Sequence, residues 1–232
     1  MRIFIILLIF IGSNLASCQN QMEWNGHKVE PVNVSVSEVK LDGENVLRVE
    51  RDLEALPFDP DNIFKTVDEP TFAKITDQNF ANGTIEVKVK SKLLKDAPEF
   101  ARGFMGLAFR INDDNSRFES IYLRPTNARS DDQLRRNHSI QYYSYPNYKF
   151  NRLREEAPGK YESYADMGLD EWIPMKIIVK DSTAKLFLNN NPRPSLIVND
   201  LKNGEGEPGS VGLWVEIGTE GYFKDLKITP EN

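Results

Sequence analysis

Apolar residues in this chain recur at every second position, in short runs cut by Gly, Pro, Asp and Asn, and nowhere at sustained helical spacing. Side chains alternate faces along a strand, so this pattern makes half-buried strands and excludes a helical bundle. The stretch 102–146 shows it best, with strand-like runs at 103–111, 118–124 and 139–145. In the first run Met105, Leu107, Phe109 and Ile111 share a face, opposite Phe104, Gly106, Ala108 and Arg110. In the second, Ile121 and Leu123 oppose Ser120, Tyr122 and Arg124. In the third, Gln141, Tyr143 and Tyr145 oppose Ile140, Tyr142 and Ser144. The alternation predicts an apolar row sent into a core and a Tyr/Arg/Gln row presented on an open sheet face.

The rest of the chain follows the same rule. Runs 32–41 and 46–50 flank Asp42-Gly43-Glu44-Asn45, a hairpin signature, since Asp-Gly suits a turn needing positive φ. Run 83–90 alternates Ile85, Val87 and Val89 with Glu86, Lys88 and Lys90. Runs 175–180 and 184–189 form a second hairpin about Asp181-Ser182-Thr183, and further strands are predicted at 71–76, 196–201, 211–216 and 222–228. Only 150–157 reads as a helix, and it stops at Pro158-Gly159. Many short strands at close spacing predict an all-β sandwich or jelly roll of two antiparallel sheets with at most one short helix. A length of 232 residues at 40% hydrophobic content permits one large core. A net charge of −6 argues against a nucleic-acid partner, which a basic face would serve.

The N-terminus reads as an export leader: Met1-Arg2, an apolar stretch over 3–11, then a break at Gly12-Ser13-Asn14. Leu15-Ala16-Ser17-Cys18 resembles the lipobox of bacterial lipoproteins. That resemblance implies cleavage after residue 17, lipidation of Cys18 and an anchor in the cell envelope, the outer membrane in a Gram-negative cell because Gln19 follows. The alternative is an ordinary signal with Cys18 lost or left as a thiol. Residues 1–17 are then the leader, 18–23 a tether and 24–232 a single sandwich domain. With one cysteine, no internal disulfide is available to it.

Several C-terminal segments carry a second likeness: Trp172-Ile173-Pro174-Met175-Lys176, Gly209-Ser210-Val211-Gly212-Leu213-Trp214 and Gly221-Tyr222-Phe223-Lys224-Asp225-Leu226. They resemble the closing strands of concanavalin A-like (laminin G, jelly-roll) domains. The order of segments is similar to lipoproteins related to the 3-keto-disaccharide hydrolase domain family. The likeness implies a concanavalin A-like sandwich. Activity does not follow, because one such fold hosts lectins, hydrolases, lyases and bare interaction modules. The Glu-x-Asp-x-x-Glu strand of the glucanase branch does not occur here, and Phe118-Glu119-Ser120-Ile121 only loosely matches a Tyr-Glu strand of the keto-disaccharide branch.

Candidate site residues come from the central stretch. Guanidinium forks suit carboxylates and sulfates, so Arg110, Arg124, Arg129 and Arg136, with Asn127 and Gln141, are candidates for polar or anionic sugar groups. Arg117 and Arg135 belong to the same run, and the competing reading pairs the run with Asp and Glu to pin a long loop. Tyr122, Tyr143 and Tyr145 are candidates for stacking on a sugar ring, against plain sheet packing. Glu119 and His138 are candidate acid/base groups, with Asp131, Asp132, Asp166 and Glu216 as further carboxylates. No zinc spacing or phosphate loop is present, and no cofactor is expected. Asp113-Asp114-Asn115 offers calcium-type oxygens but reads more simply as a turn. The leading expectation is a lipid-anchored envelope protein whose partner is an oligo- or polysaccharide. A glycoside hydrolase or lyase is the second reading, and a structural envelope module the third.

Overall fold

The alternating runs pair into two antiparallel sheets in the computed structural model, which describes residues 21–231. The larger sheet has eight strands. Its order is β1 (Met22–Trp24), β2 (His27–Val32), β5 (Phe72–Phe80), β14 (Gly209–Val215), β7 (Met105–Ile111), β8 (Phe118–Leu123), β9 (Ile140–Tyr145) and β10 (Glu162–Ser163). The seven-stranded sheet runs β13 (Leu196–Val198), β12 (Thr183–Leu188), β11 (Ile173–Lys180), β6 (Asn82–Leu93), β15 (Thr219–Glu231), β4 (Glu44–Arg51) and β3 (Val34–Leu41). Hairpin neighbours such as β7–β8 and β11–β12 alternate with long crossovers such as β5–β14, β14–β7 and β6–β15, which is the jelly-roll arrangement and closes the chain into a sandwich.

The core lies between the sheets. Ile85, Val87 and Val89 of β6, Met175, Ile177 and Val179 of β11 and Phe223 of β15 are buried, while Glu86, Lys88 and Lys176 stay partly exposed on the far side. Ile75, Leu107, Phe109, Ile121, Tyr142, Val211 and Leu213 of the larger sheet join the same apolar cluster. The β3–β4 turn has the expected chemistry: Asp42 and Gly43 both take positive φ, at 55° and 84°, and Leu41 pairs with Glu44.

Three features differ from the sequence reading. β1 begins at Met22, inside the expected tether, and pairs with β2. The leader and Cys18 lie outside the described residues. The helix expected at 150–157 is present as α4 (Phe150–Glu156), and three further helical turns accompany it: α1 (Ile63–Thr66), α2 (Pro125–Ala128) and α3 (Gln133–Asn137). Elements of four or five residues are too short for apolar periodicity to register.

The third difference decides where a site can be. The outer face of the larger sheet is covered, not open: Tyr122, Gln141 and Tyr143 are all buried. α1, α3 and α4 sit over the same cavity on this face, with residues 100–104 beside them.

Candidate functional site

The floor of that cavity is a row of aromatic rings set by strand register. Trp214 pairs with Gly106, Gly106 with Tyr122, and Tyr122 with Gln141, so all four side-chain positions point to one face. Gly106 supplies no side chain between two large ones, and the rings of Trp214 and Tyr122 approach to 4.8 Å. A Cβ at Gly106 would lie 2.3 Å from Ile121 O and 2.6 Å from Tyr122 Cα. Tyr143 and Phe118 extend the slab, with centroids 5.7 Å from Tyr122 to Tyr143 and 5.8 Å from Phe118 to Tyr143.

Phe100, Phe104 and Phe150 stand as walls around a cavity of about 490 Å³, with Ile63 and Val67. That volume falls in the range of about 300–1,000 Å³ typical of small-molecule sites. At its rim Leu134 is 66% exposed, and Phe64 beside Phe150 is 59% exposed. Large apolar groups in water at the mouth of an aromatic cavity are what a ligand face can cover.

The polar groups are held by one buried carboxylate. Glu162 on β10 meets Arg124 Nη1 at 3.3 Å, Arg154 Nε at 3.2 Å and His138 Nδ1 at 2.8 Å. Burial alone would raise its pKa, but Arg154, Arg124 and His138 together hold it below the usual carboxylate value. Arg124 is thereby fixed over the floor. Its Nη2 donates to Tyr122 OH at 2.7 Å and to Gln141 Oε1 at 3.2 Å, and its Nη1 donates to His138 O at 3.1 Å. Its guanidinium also lies 4.9 Å from the Tyr122 ring centroid and 5.4 Å from that of Phe150. His138 is lowered by burial, with Glu162 opposing and Arg154 and Arg124 reinforcing the shift.

A second acidic pair closes the opposite wall. Asp68 N donates to Glu216 Oε2 at 2.8 Å, and Glu216 Oε1 takes the Ile217 N–H at 2.8 Å and an Arg51 guanidinium. Asp68 Oδ2 accepts from Phe150 N at 2.8 Å, which satisfies a free N–H at the start of α4. Burial, with the Glu216 charge adding to it, pushes Asp68 up to about 7 against the Phe150 hydrogen bond and the more distant Arg124 and Lys149. Burial likewise raises Glu216 despite Arg51.

Of the residues expected from sequence, the cavity brings together Tyr122, Arg124, Asn127 and His138. Gln141 and Tyr143 lie in the floor row but are fully buried. Tyr145 sits farther along that face and donates to Glu69 Oε2 at 3.1 Å. Arg129 is elsewhere, forked onto Asp166 at 2.9 Å and Glu171 at 2.6 Å. Arg136 donates to Tyr164 OH at 2.9 Å.

Arg110 departs from its expected row because it sits in a β-bulge with φ of 54°, where the β14–β7 register shifts. The bulge sends it, buried, to Ala81 O at 2.8 Å, Asp181 O at 2.7 Å and Gly204 O at 3.1 Å. Glu119 points to the inner side of β8. There its carboxylate accepts from Tyr142 OH at 2.6 Å and Asn203 N at 2.8 Å, and burial pushes it up to about 7. It is remote from the cavity, so the acid/base role expected for it is not available there. The Asp113-Asp114-Asn115 segment is a turn, and the Lys74 ammonium takes Asn112 O, Asp113 O and Asn115 Oδ1 at 3.1, 3.2 and 2.8 Å.

The reading missed Asp68, Arg102, Phe104, Phe150, Arg154 and Glu162. Phe150 and Arg154 were legible in principle, since four residues apart on one helix they share a face. Arg102 and Phe104 open the central stretch itself, and Asp68 comes from a segment far away in sequence.

No protein-family model matches the chain, and no curated protein matches it. Among solved structures, the carbohydrate-binding module CBM66 from Bacillus subtilis superposes with a TM-score of 0.55 at 12% identity, covering 85% of this chain and 92% of that one. A protein of unknown function with a galectin-like fold from Bacillus subtilis gives 0.46 at 12% identity, covering 84% and 86%. A Bacillus licheniformis β-glucanase gives 0.40 at 11% identity, covering 92% and 84%. The sheet order and the first of these likenesses establish a concanavalin A-like jelly-roll fold.

Proposed function

We propose that this chain is a carbohydrate-binding β-sandwich, exported and tethered to the cell envelope through Cys18, and that the roofed cavity over the larger sheet is its sugar site. The observation that carries the reading is the combination on one wall of flat rings and fixed polar forks. Phe104, Phe150 and the Tyr122–Trp214 floor offer apolar faces to a pyranose or furanose ring. Arg124, Asn127 and His138 stand beside them, each oriented by partners inside the protein. Such pre-fixed groups lose little freedom on binding. The fold of a carbohydrate-binding module agrees with this reading.

The test is calorimetric titration of the purified protein with neutral, uronate-containing and sulfated oligosaccharides. Binding of at least one class, weakened by Phe104→Ala without loss of fold, is the expected result. Absence of binding across the panel would overturn it.

A second reading, hydrolysis of a sugar, is favoured by one observation: Asp68, held near neutrality at about 7, lines the same cavity as His138. Product masses after incubation decide between them. A gain of water in the products means hydrolysis, and an unsaturated product means elimination. Unchanged masses with retained binding leave the binding module.

A further inference from the structure

We propose that the cavity selects an acidic saccharide, and that Arg102 and Arg135 clamp its carboxylate between them at the mouth. This rests on the carbohydrate reading above and specifies its ligand.

Several arginines already have carboxylate partners. Arg124 and Arg154 share Glu162, Arg129 has Asp166 and Glu171, and Arg51 has Glu216. Arg102 and Arg135 line the cavity and have no carboxylate partner among the described residues.

Neutral groups hold both of them instead. Arg102 Nη1 donates to Glu99 O at 2.7 Å and Ala101 O at 2.8 Å. Arg135 Nε donates to Asn127 Oδ1 at 2.9 Å, and its Nη2 donates to Thr126 Oγ1 at 3.4 Å. The two segments are joined, because Thr126 N donates to Arg102 O at 3.3 Å. The tethers use one nitrogen of Arg102 and two of Arg135, and leave Nε and Nη2 of Arg102 and Nη1 of Arg135 with donors to spare.

The two guanidiniums also feel each other. Burial lowers Arg102, and the neighbouring Arg135 and Arg124 charges lower it further. Arg102, Arg135 and Arg124 meet at a cavity that Asp68, Asp132 and Glu216 also line, and none of those three carboxylates forms an ion pair with the Arg102 or Arg135 guanidinium. Glu99 and Asp132 are the acidic residues nearest in sequence: the Glu99 charge partly opposes the lowering of Arg102, and Asp132 Oδ1 caps α3 by accepting from Leu134 N at 2.9 Å and Arg135 N at 3.1 Å. A planar carboxylate that bridges Arg102 and Arg135 would relieve the repulsion and satisfy the spare donors together.

The aromatic walls supply the rest of the choice. Phe104 and Phe100 line the same cavity as the two arginines, so a sugar whose carboxylate reaches the clamp presents its ring to apolar faces. A uronate unit joins these two requirements in one residue, with the charge one bond outside the ring.

The experiment compares an oligouronate with its methyl ester, which keeps the ring and removes the charge. Titrations of the purified protein use both, with a sulfated oligosaccharide and inorganic sulfate as further arms. The uronate is expected to bind about tenfold or more tightly than the ester, from loss of charged hydrogen bonds. Arg102→Gln and Arg135→Gln are each expected to shrink the uronate-to-ester ratio toward one. Arg102→Lys, which keeps charge but not the fork, should recover it only in part.

Equal binding of uronate and ester overturns the proposal and leaves the carbohydrate reading standing. Preference for the sulfated ligand, or competition by inorganic sulfate alone, overturns the carboxylate assignment. No sugar binding at all overturns the carbohydrate reading and the proposal with it. The uronate–ester comparison uses the unaltered protein, so it stands even where a variant fails to fold.

Discussion

Glu162→Gln is the perturbation that most directly tests the architecture of this site. Glu162 is 7% exposed and Arg124 5% exposed, so the pair is out of bulk water. Breaking a buried ion pair by removing one partner costs about 3–5 kcal/mol, because the other charge is left uncompensated. Here the lower end applies. Arg154 is the third member, its side chain is 37% exposed, and it can turn to solvent when the carboxylate is gone. Arg124 cannot, because Tyr122, Gln141 and the His138 carbonyl hold it in place.

A loss of about 3 kcal/mol is a large share of the roughly 5–15 kcal/mol by which domains are stable. At about 2–4 °C per kcal/mol for a domain of this size, the melting temperature should fall by about 6–12 °C. Urea denaturation at pH 7 measures the loss, and a pH series checks its origin. The folded pKa of Glu162 lies below its unfolded value, so its contribution is complete above the unfolded value of 4.5 and is lost as pH falls through the lower folded value. Glu162→Gln should therefore flatten the acid limb. Adding Arg124→Met to Glu162→Gln should cost less than the sum of the two single changes. A loss under about 1 kcal/mol, with an unchanged acid limb, would refute the claim that Glu162 organises the cavity.

Asp68→Asn keeps an acceptor for Phe150 N and removes a charge whose folded pKa is raised to about 7. The unaltered protein should lose stability as pH rises from about 4 to 7, and the variant should lose less, the remainder coming from Glu119 and Glu216, as read by denaturation across that window. Gly106→Ala places a methyl group against the Tyr122 backbone. It should cost about 1–3 kcal/mol and weaken sugar binding, measured by melting and titration. Tyr143→Phe removes a buried hydroxyl that makes no hydrogen bond of ordinary geometry among the described residues and has the Ser120 hydroxyl nearby, so stability should change by less than about 1 kcal/mol or rise.

The strands were legible because a sheet buried on one face writes itself as alternation, and β6 and β11 carry that pattern. The same rule made the Tyr122/Gln141/Tyr143 row visible but misjudged its surroundings. Alternation reports which residues share a face, and it says nothing about what covers that face. The cover comes from α1, α4 and residues 100–104, whose contacts span large sequence separations; Asp68 to Phe150 is one. The arginine run showed the same limit. Arg129 finds Asp166 and Glu171 across 37 and 42 positions. Arg110 leaves its row through a bulge that no spacing announces.

These arginines also separate a binding site from a structural module. If these arginines served only to pin loops, every one should end on an acid or a ring of carbonyls that exhausts its donors. Arg110 does, and Arg129 does. Arg102 and Arg135 do not, and they face the cavity whose floor Gly106 keeps open. Loop pinning needs neither two unmatched charges side by side nor exposed Leu134 and Phe64 at a rim. A ligand with one charged and one apolar face accounts for both.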